Sequence, residues 1–162
     1  MEISNKGLTG EFYVLAQLNA RGYDASLTLG NTKGVDIIVM NNKINKGFKV
    51  EVKTTTNKPS KEKLFSSWHN DNPCYHWILS KKNETYKADN LIYCFVHISD
   101  LQTMPKFYLV HSDEVAEYVK SQHEYYLSTR KTPPKSDSGM RKFRIELNDP
   151  NNYENNWGLL EV

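Results

Sequence analysis

Between Val35 and Met40 the chain runs through a short β-branched apolar stretch broken by a single acid, Asp36. Such a run reads as a buried strand, and a carboxylate inside it costs free energy unless a cation compensates it. The polar stretch Asn41-Asn42-Lys43-Ile44-Asn45-Lys46-Gly47 reads as a hairpin connection into a second strand, Phe48 to Thr54. In that strand Phe48, Val50 and Val52 point one way and Lys49, Glu51 and Lys53 the other, because strand side chains alternate. If the two strands pair as a hairpin, Asp36 converges on the face that carries Glu51 and Lys53. Two acids drawn together need a shared proton or a metal ion, and oxygen-only ligands suit a hard cation such as Mg²⁺.

The surrounding chain supplies a framework for this pair of strands. Residues 7 to 21 read as a helix, with Leu8, Phe12, Leu15, Ala16 and Leu18 near 3.6-residue spacing and Gly22 stopping the run. Glu11 lies on the flank of that stripe. Tyr23 to Leu29 alternates as a strand and is followed by a Gly30-Asn31-Thr32-Lys33-Gly34 turn. Residues 55 to 70 read as an exposed loop or flap. Asp71-Asn72-Pro73 is a helix start, and a short helix is expected over about residues 74 to 83, with a strand as the alternative. Leu91 to Ile98 and Lys106 to Val110 read as strands, and Asp113 to Tyr126 as an amphipathic helix begun by Ser112. Thr129 to Gly139, with Pro133-Pro134, is a linker-like loop. One more strand, Arg141 to Leu147, precedes a docking helix over Tyr153 to Leu160 anchored by Trp157, Leu159 and Leu160.

This order, helix, three strands, helix, strand and additions, places the chain in the α/β class, with a central mixed sheet flanked by helices. A chain of 162 residues suits one domain. Its core is expected over about 7 to 110, with a C-terminal extension over about 111 to 162.

Composition removes several alternatives. A formal charge of +2 is too small to mark a nucleic-acid binder by itself, although lysines and arginines cluster locally. Cys74 and Cys94 make neither a disulfide framework nor a zinc spacing, and their apolar neighbours predict reduced, buried thiols. The five histidines, His69, His76, His97, His111 and His123, have no metal spacing, and no Gly-rich phosphate loop is present. Trp68, Tyr75 and Trp77 are expected in the core or a lid. The N-terminal residues lack the apolar core of a signal peptide, and the longest apolar run, Leu91 to Val96, is too short to cross a bilayer. A cytoplasmic protein with no membrane partner is expected.

The clustered residues supply the parts for phosphodiester hydrolysis. Asp36 and Glu51 would hold the metal, which would polarise the scissile phosphate and acidify a water. Lys53 would stand beside that water or stabilise the charge developing on the phosphate oxygens. Glu11 would complete the acidic pocket or hold a second ion. Lys81 and Lys82 are candidate phosphate contacts, or alternatively residues that close a helix C-terminus.

At these residues the sequence resembles the PD-(D/E)XK nuclease superfamily, which includes restriction enzymes and Holliday-junction resolvases. The likeness is carried by Gly10-Glu11 on the first helix, Gly34-Val35-Asp36 at the second strand and Glu51-Val52-Lys53 on the third. It spans residues 7 to 98. The resemblance implies a restriction-endonuclease-like αβββαβ core and a Mg²⁺- or Mn²⁺-dependent cut in DNA or RNA. Asp36, Glu51 and Lys53 then match its motif residues and Glu11 its helical glutamate. The proline of the family name is Val35 here. A homodimer is expected from the resemblance alone, since such nucleases often pair to cut two strands.

Glu51-Val52-Lys53 is the only acid-x-Lys tripeptide in the chain, and its strand context rather than the tripeptide carries the weight. Structural readings of the same residues stand beside it. Asp36 would cap the Gly34 turn, and Glu51 and Lys53 would form a cross-strand ion pair on an exposed face. The functional rival is a nuclease-fold protein without catalysis, acting as a nucleic-acid-binding or assembly module.

Overall fold

A computed structural model describes residues 5–29, 34–61 and 72–162 of the chain. The expected Gly30–Gly34 turn, most of the 55 to 70 loop, Trp68 and His69 therefore fall wholly or largely outside the described residues.

Helix α1 spans Lys6–Ala20 and buries Gly10, Val14 and Leu18, positions four apart on one face. Of the expected stripe, Leu18 is buried and Leu15 packs against the core, but Leu8 and Phe12 are 41% and 54% exposed, so the buried face is turned towards Gly10 and Val14. The reason is Gly10, which has no side chain to score as apolar yet marks the closest approach to the sheet. Strands β1 (Asp24–Leu27), β2 (Ile37–Asn41) and β3 (Lys46–Thr55) follow, paired antiparallel in chain order. The expected hairpin is thus present, with Ile37 opposite Val50.

The expected helix over 74 to 83 is absent. Residues Cys74–Ser80 form strand β4, and only a 3-10 turn, Lys81–Glu84, follows it. Strand β4 pairs antiparallel with Met140–Glu146, strand β7, making a separate two-stranded sheet. The local Asp-Asn-Pro signal is outweighed by this long-range pairing, which buries Cys74, Trp77 and Leu79. Strands β5 (Leu91–His97) and β6 (Lys106–His111) complete the main sheet, whose order is β1-β2-β3-β5-β6. The β3–β5 pair is parallel and all other neighbours are antiparallel, so the central sheet is mixed. Helix α2 spans Ser112–Thr129; His111 rather than Ser112 occupies the N-cap position, its ring accepting from the Asp113 amide. The expected C-terminal helix is reduced to a 3-10 turn, Trp157–Leu160.

Strand β5 is buried at every residue and divides the core. Its Ile92, Cys94 and Val96 pack with Val14 and Leu18 of α1, Val50 and Val52 of β3, and Trp157 and Leu160. Its Leu91, Tyr93 and Phe95 face Trp77, Phe143 and Val115, from β4, β7 and α2. A strand covered on both faces reads as a continuous apolar run, as Leu91 to Val96 does. Cys74 and Cys94 are buried and form no disulfide with each other, as expected, and burial pushes the Cys94 thiol far above its ordinary value. Trp77 is core, with its indole N–H donating to the Val96 carbonyl at 2.9 Å. Among the described residues, no helix is long and apolar enough to cross a membrane.

Candidate active site

Strand alternation places Glu51 and Lys53 on one face of β3, as expected, and Phe48, Val50 and Val52 on the other, against α1. Glu51 is 1% exposed, beside Tyr93 in the β3–β5 register. Lys53 bonds to it directly, Nζ lying 2.6 Å from Glu51 Oε1, and keeps a side chain that is 29% exposed. The exposed cross-strand ion pair weighed from sequence is therefore replaced by a pair within one strand whose carboxylate is buried. The other oxygen, Glu51 Oε2, is buried and has no hydrogen-bond partner among the described residues. A buried carboxylate oxygen costs free energy unless a donor or a cation meets it.

Asp36 sits in the bend immediately before β2 rather than inside it. Its amide donates to the Val50 carbonyl at 3.0 Å, and its Oδ2 accepts from the Val52 amide at 2.6 Å. The carboxylate thus rests against the backbone of the Glu51-Val52-Lys53 segment instead of capping the Gly34 turn. Thr28, just beyond β1, holds the bend from the other side. Its hydroxyl donates to the Val35 carbonyl at 2.7 Å and its amide to the Asp36 carbonyl at 2.9 Å.

Glu11 reaches this centre from α1. Burial first, and then the Asp36 charge, raise its carboxyl above the ordinary value, while Lys53 opposes them. Glu11 is brought close by Gly10, at which any Cβ would overlap the Thr54 hydroxyl on β3. The missing side chain lets the helix lie down on the strand.

Tyr86 is a site neighbour that the sequence reading passed over. Its hydroxyl donates to the Gly34 carbonyl at 3.1 Å. Burial, and then the Glu51 and Asp36 charges, raise its pKa, so it stays protonated and a donor. Its sequence context, Asn83-Glu84-Thr85-Tyr86-Lys87, is polar and aperiodic, so no local signal marks it. Lys81 and Lys82 sit on the exposed 3-10 turn after β4. Lys81 Nζ lies 3.4 Å from Asp137 Oδ2, and no contact joins either lysine to the acidic centre among the described residues.

Among the described residues, no three His, Cys, Asp or Glu side chains gather into a ready-made metal cage. What the centre offers is two carboxylates on adjoining backbone, one with a buried open oxygen, plus a flanking glutamate and an ammonium.

Two comparisons bring no relative. No family model matches the chain, and no curated protein does. A comparison of folds does find a likeness, to a bacterial homing endonuclease, I-Ssp6803I. The TM-score is 0.56 at 13% identity, over 96% of this chain and 90% of that one. At that identity the likeness is one of fold: this chain has a nuclease-like α/β architecture.

Proposed function

We propose that the chain is a metal-dependent endonuclease that hydrolyses phosphodiester bonds in DNA through Asp36, Glu51 and Lys53, with Glu11 as the supporting acid. The observation that carries this reading is the Glu51 carboxylate, buried, gripped by Lys53 on one oxygen and open on the other. The fold shared with an endonuclease supports nucleic acid as the substrate. The PD-(D/E)XK assignment rests on the residues Glu11, Asp36, Glu51 and Lys53 standing in that family's pattern. Mg²⁺, or Mn²⁺, fits the donor set. It binds through one or two carboxylates, waters and substrate phosphate rather than an all-protein cage, which agrees with the two-carboxylate centre.

A cation bound there supplies positive charge to the scissile phosphate and lowers the pKa of a water. The protein's own part is positional. Asp36 and Glu51 would present oxygens from the bend before β2 and from β3, held together by the Val52 amide. Lys53, oriented by Glu51, donates an N–H toward the attacking water or the phosphate oxygens as their charge grows. Glu11 would complete the acidic centre or hold a second ion. Lys81 and Lys82 would meet the nucleic-acid backbone beyond the cut, and two chains would pair to cut two strands.

The test is to incubate the protein with plasmid, single-stranded DNA, branched DNA and RNA in Mg²⁺, Mn²⁺ or EDTA. Glu51→Ala and Lys53→Ala are run beside it. Cleavage is expected with metal, is abolished by EDTA, and falls on the order of 10²–10³ in kcat for Lys53→Ala, as when one charge-stabilising donor is removed. Cleavage surviving in EDTA or in both variants refutes the mechanism. Substrate binding without any cleavage favours the binding-module reading.

A further inference from the structure

The polar groups of the Gly34–Asp36 bend are held from three directions. Thr28 binds the Val35 and Asp36 carbonyls, and β3 binds the Asp36 amide and carboxylate. The Gly34 carbonyl is bound by Tyr86, which lies outside every helix and strand. Tyr86 also covers Gly34 sterically. A Cβ at Gly34 would stand 2.7 Å from Tyr86 Cε1 and 2.8 Å from Cζ. Gly34 has φ of +74°, the left-handed region that glycine enters without strain.

The segment that presents Tyr86 is itself anchored beside Glu51. Asn83, 1% exposed, donates to the Tyr93 hydroxyl at 2.8 Å and accepts from the Ser80 amide at 2.9 Å. Tyr93 is the residue opposite Glu51 in the β3–β5 register. One short segment therefore touches both carboxylate-bearing regions, through Tyr86 at the Asp36 bend and through Asn83 at the neighbour of Glu51.

From these contacts we infer that Tyr86 is a positioning residue: it clamps the Gly34–Asp36 bend against the Glu51 strand and so sets the affinity of the acid pair for a divalent cation. The inference rests on the metal-nuclease reading above. Groups that orient metal ligands without touching the metal typically change affinity or activity by 10–100-fold when removed.

Tyr86→Phe keeps the ring and deletes the donor. Mn²⁺ binding followed by calorimetry should weaken by roughly 10–100-fold. The metal concentration giving half-maximal cleavage should rise in step, with KM for DNA and the metal-free melting temperature unchanged. Gly34→Ala, which displaces the ring and also strains the bend at its positive φ, should show a metal defect at least as large together with a lowered melting temperature, and the double variant should be less than additive. A lowered melting temperature with an unaltered metal response would show a merely structural role and overturn the inference. So would a wild-type Mn²⁺ affinity in Tyr86→Phe, and if wild type cleaves while Asp36→Asn does not, the nuclease reading survives that result. A wild-type protein that neither binds Mn²⁺ nor cleaves removes both.

Discussion

Glu11 shows at the level of one residue how the site holds charge at a cost. Its carboxyl is raised from an ordinary value of 4.5 by burial and then by Asp36. A raised carboxyl binds its proton more tightly in the folded chain than in the unfolded one. The folded state therefore loses stability as pH rises from about 4.5 through the raised value, and carries the full penalty above it. Glu11→Gln removes the penalty. Without divalent metal the variant should melt above wild type at pH 7, with the difference closing below pH 4.5. Melting curves at the two pH values check this, and a gap of equal size at both would remove the electrostatic explanation. Lys53 works in the opposite sense, compensating a Glu51 carboxylate that solvent barely reaches.

At the scale of elements, the contact between α1 and β3 decides whether Glu11 belongs to the site. Gly10 meets Thr54 with no room for a methyl group. Gly10→Ala should lift the helix, costing about 1–3 kcal/mol as overpacking commonly does. It should also lower cleavage by moving Glu11. Thr54→Ala removes the hydroxyl in the way, so the double variant should recover part of both losses, measured by urea unfolding and by kcat. Strictly additive losses would mean the two residues do not press on each other. The same element explains why the sequence misled on part of the buried face, although Leu15 and Leu18 do pack inward. Leu8 and Phe12 look like a core stripe, yet the face that packs is set by where a helix can approach most closely, and glycine carries no hydrophobic signal.

Across the whole molecule, the chain's last residues are tied into the central sheet. Leu160 is fully buried with α1 and β2 residues, Arg21 lies 4.2 Å over the Trp157 ring, and the Asn41 amide donates to the Leu160 carbonyl at 2.7 Å. The Tyr153 carbonyl accepts from the Leu109 amide, covering the β6 edge. Asn41→Ala strips a buried carbonyl of its donor and should cost about 1–3 kcal/mol in urea unfolding with an unchanged slope. Asn41 ends β2, at the opposite end from Asp36, so cleavage per folded molecule should hold. A fall in kcat instead would show that the terminal segment and the acidic centre are coupled.

Much of the centre is legible in the sequence. The alternation of Phe48 to Thr54 and the lone acid in the Val35–Met40 run are local patterns, and local patterns suffice to put Glu51 and Lys53 on one face with Asp36 beside them. They also sufficed for a mixed α/β sheet with a strand at Leu91 to Ile98, observed as Leu91–His97. The tertiary structure alone decided that Cys74–Ser80 is a strand, because its partner, Met140–Glu146, lies far along the chain and no local signal announces the pairing. It alone decided which face of α1 is buried, and that Tyr86 grips the Asp36 bend. Periodicity and turn chemistry act between near neighbours, whereas these three features depend on surfaces that meet only once the chain has closed on itself.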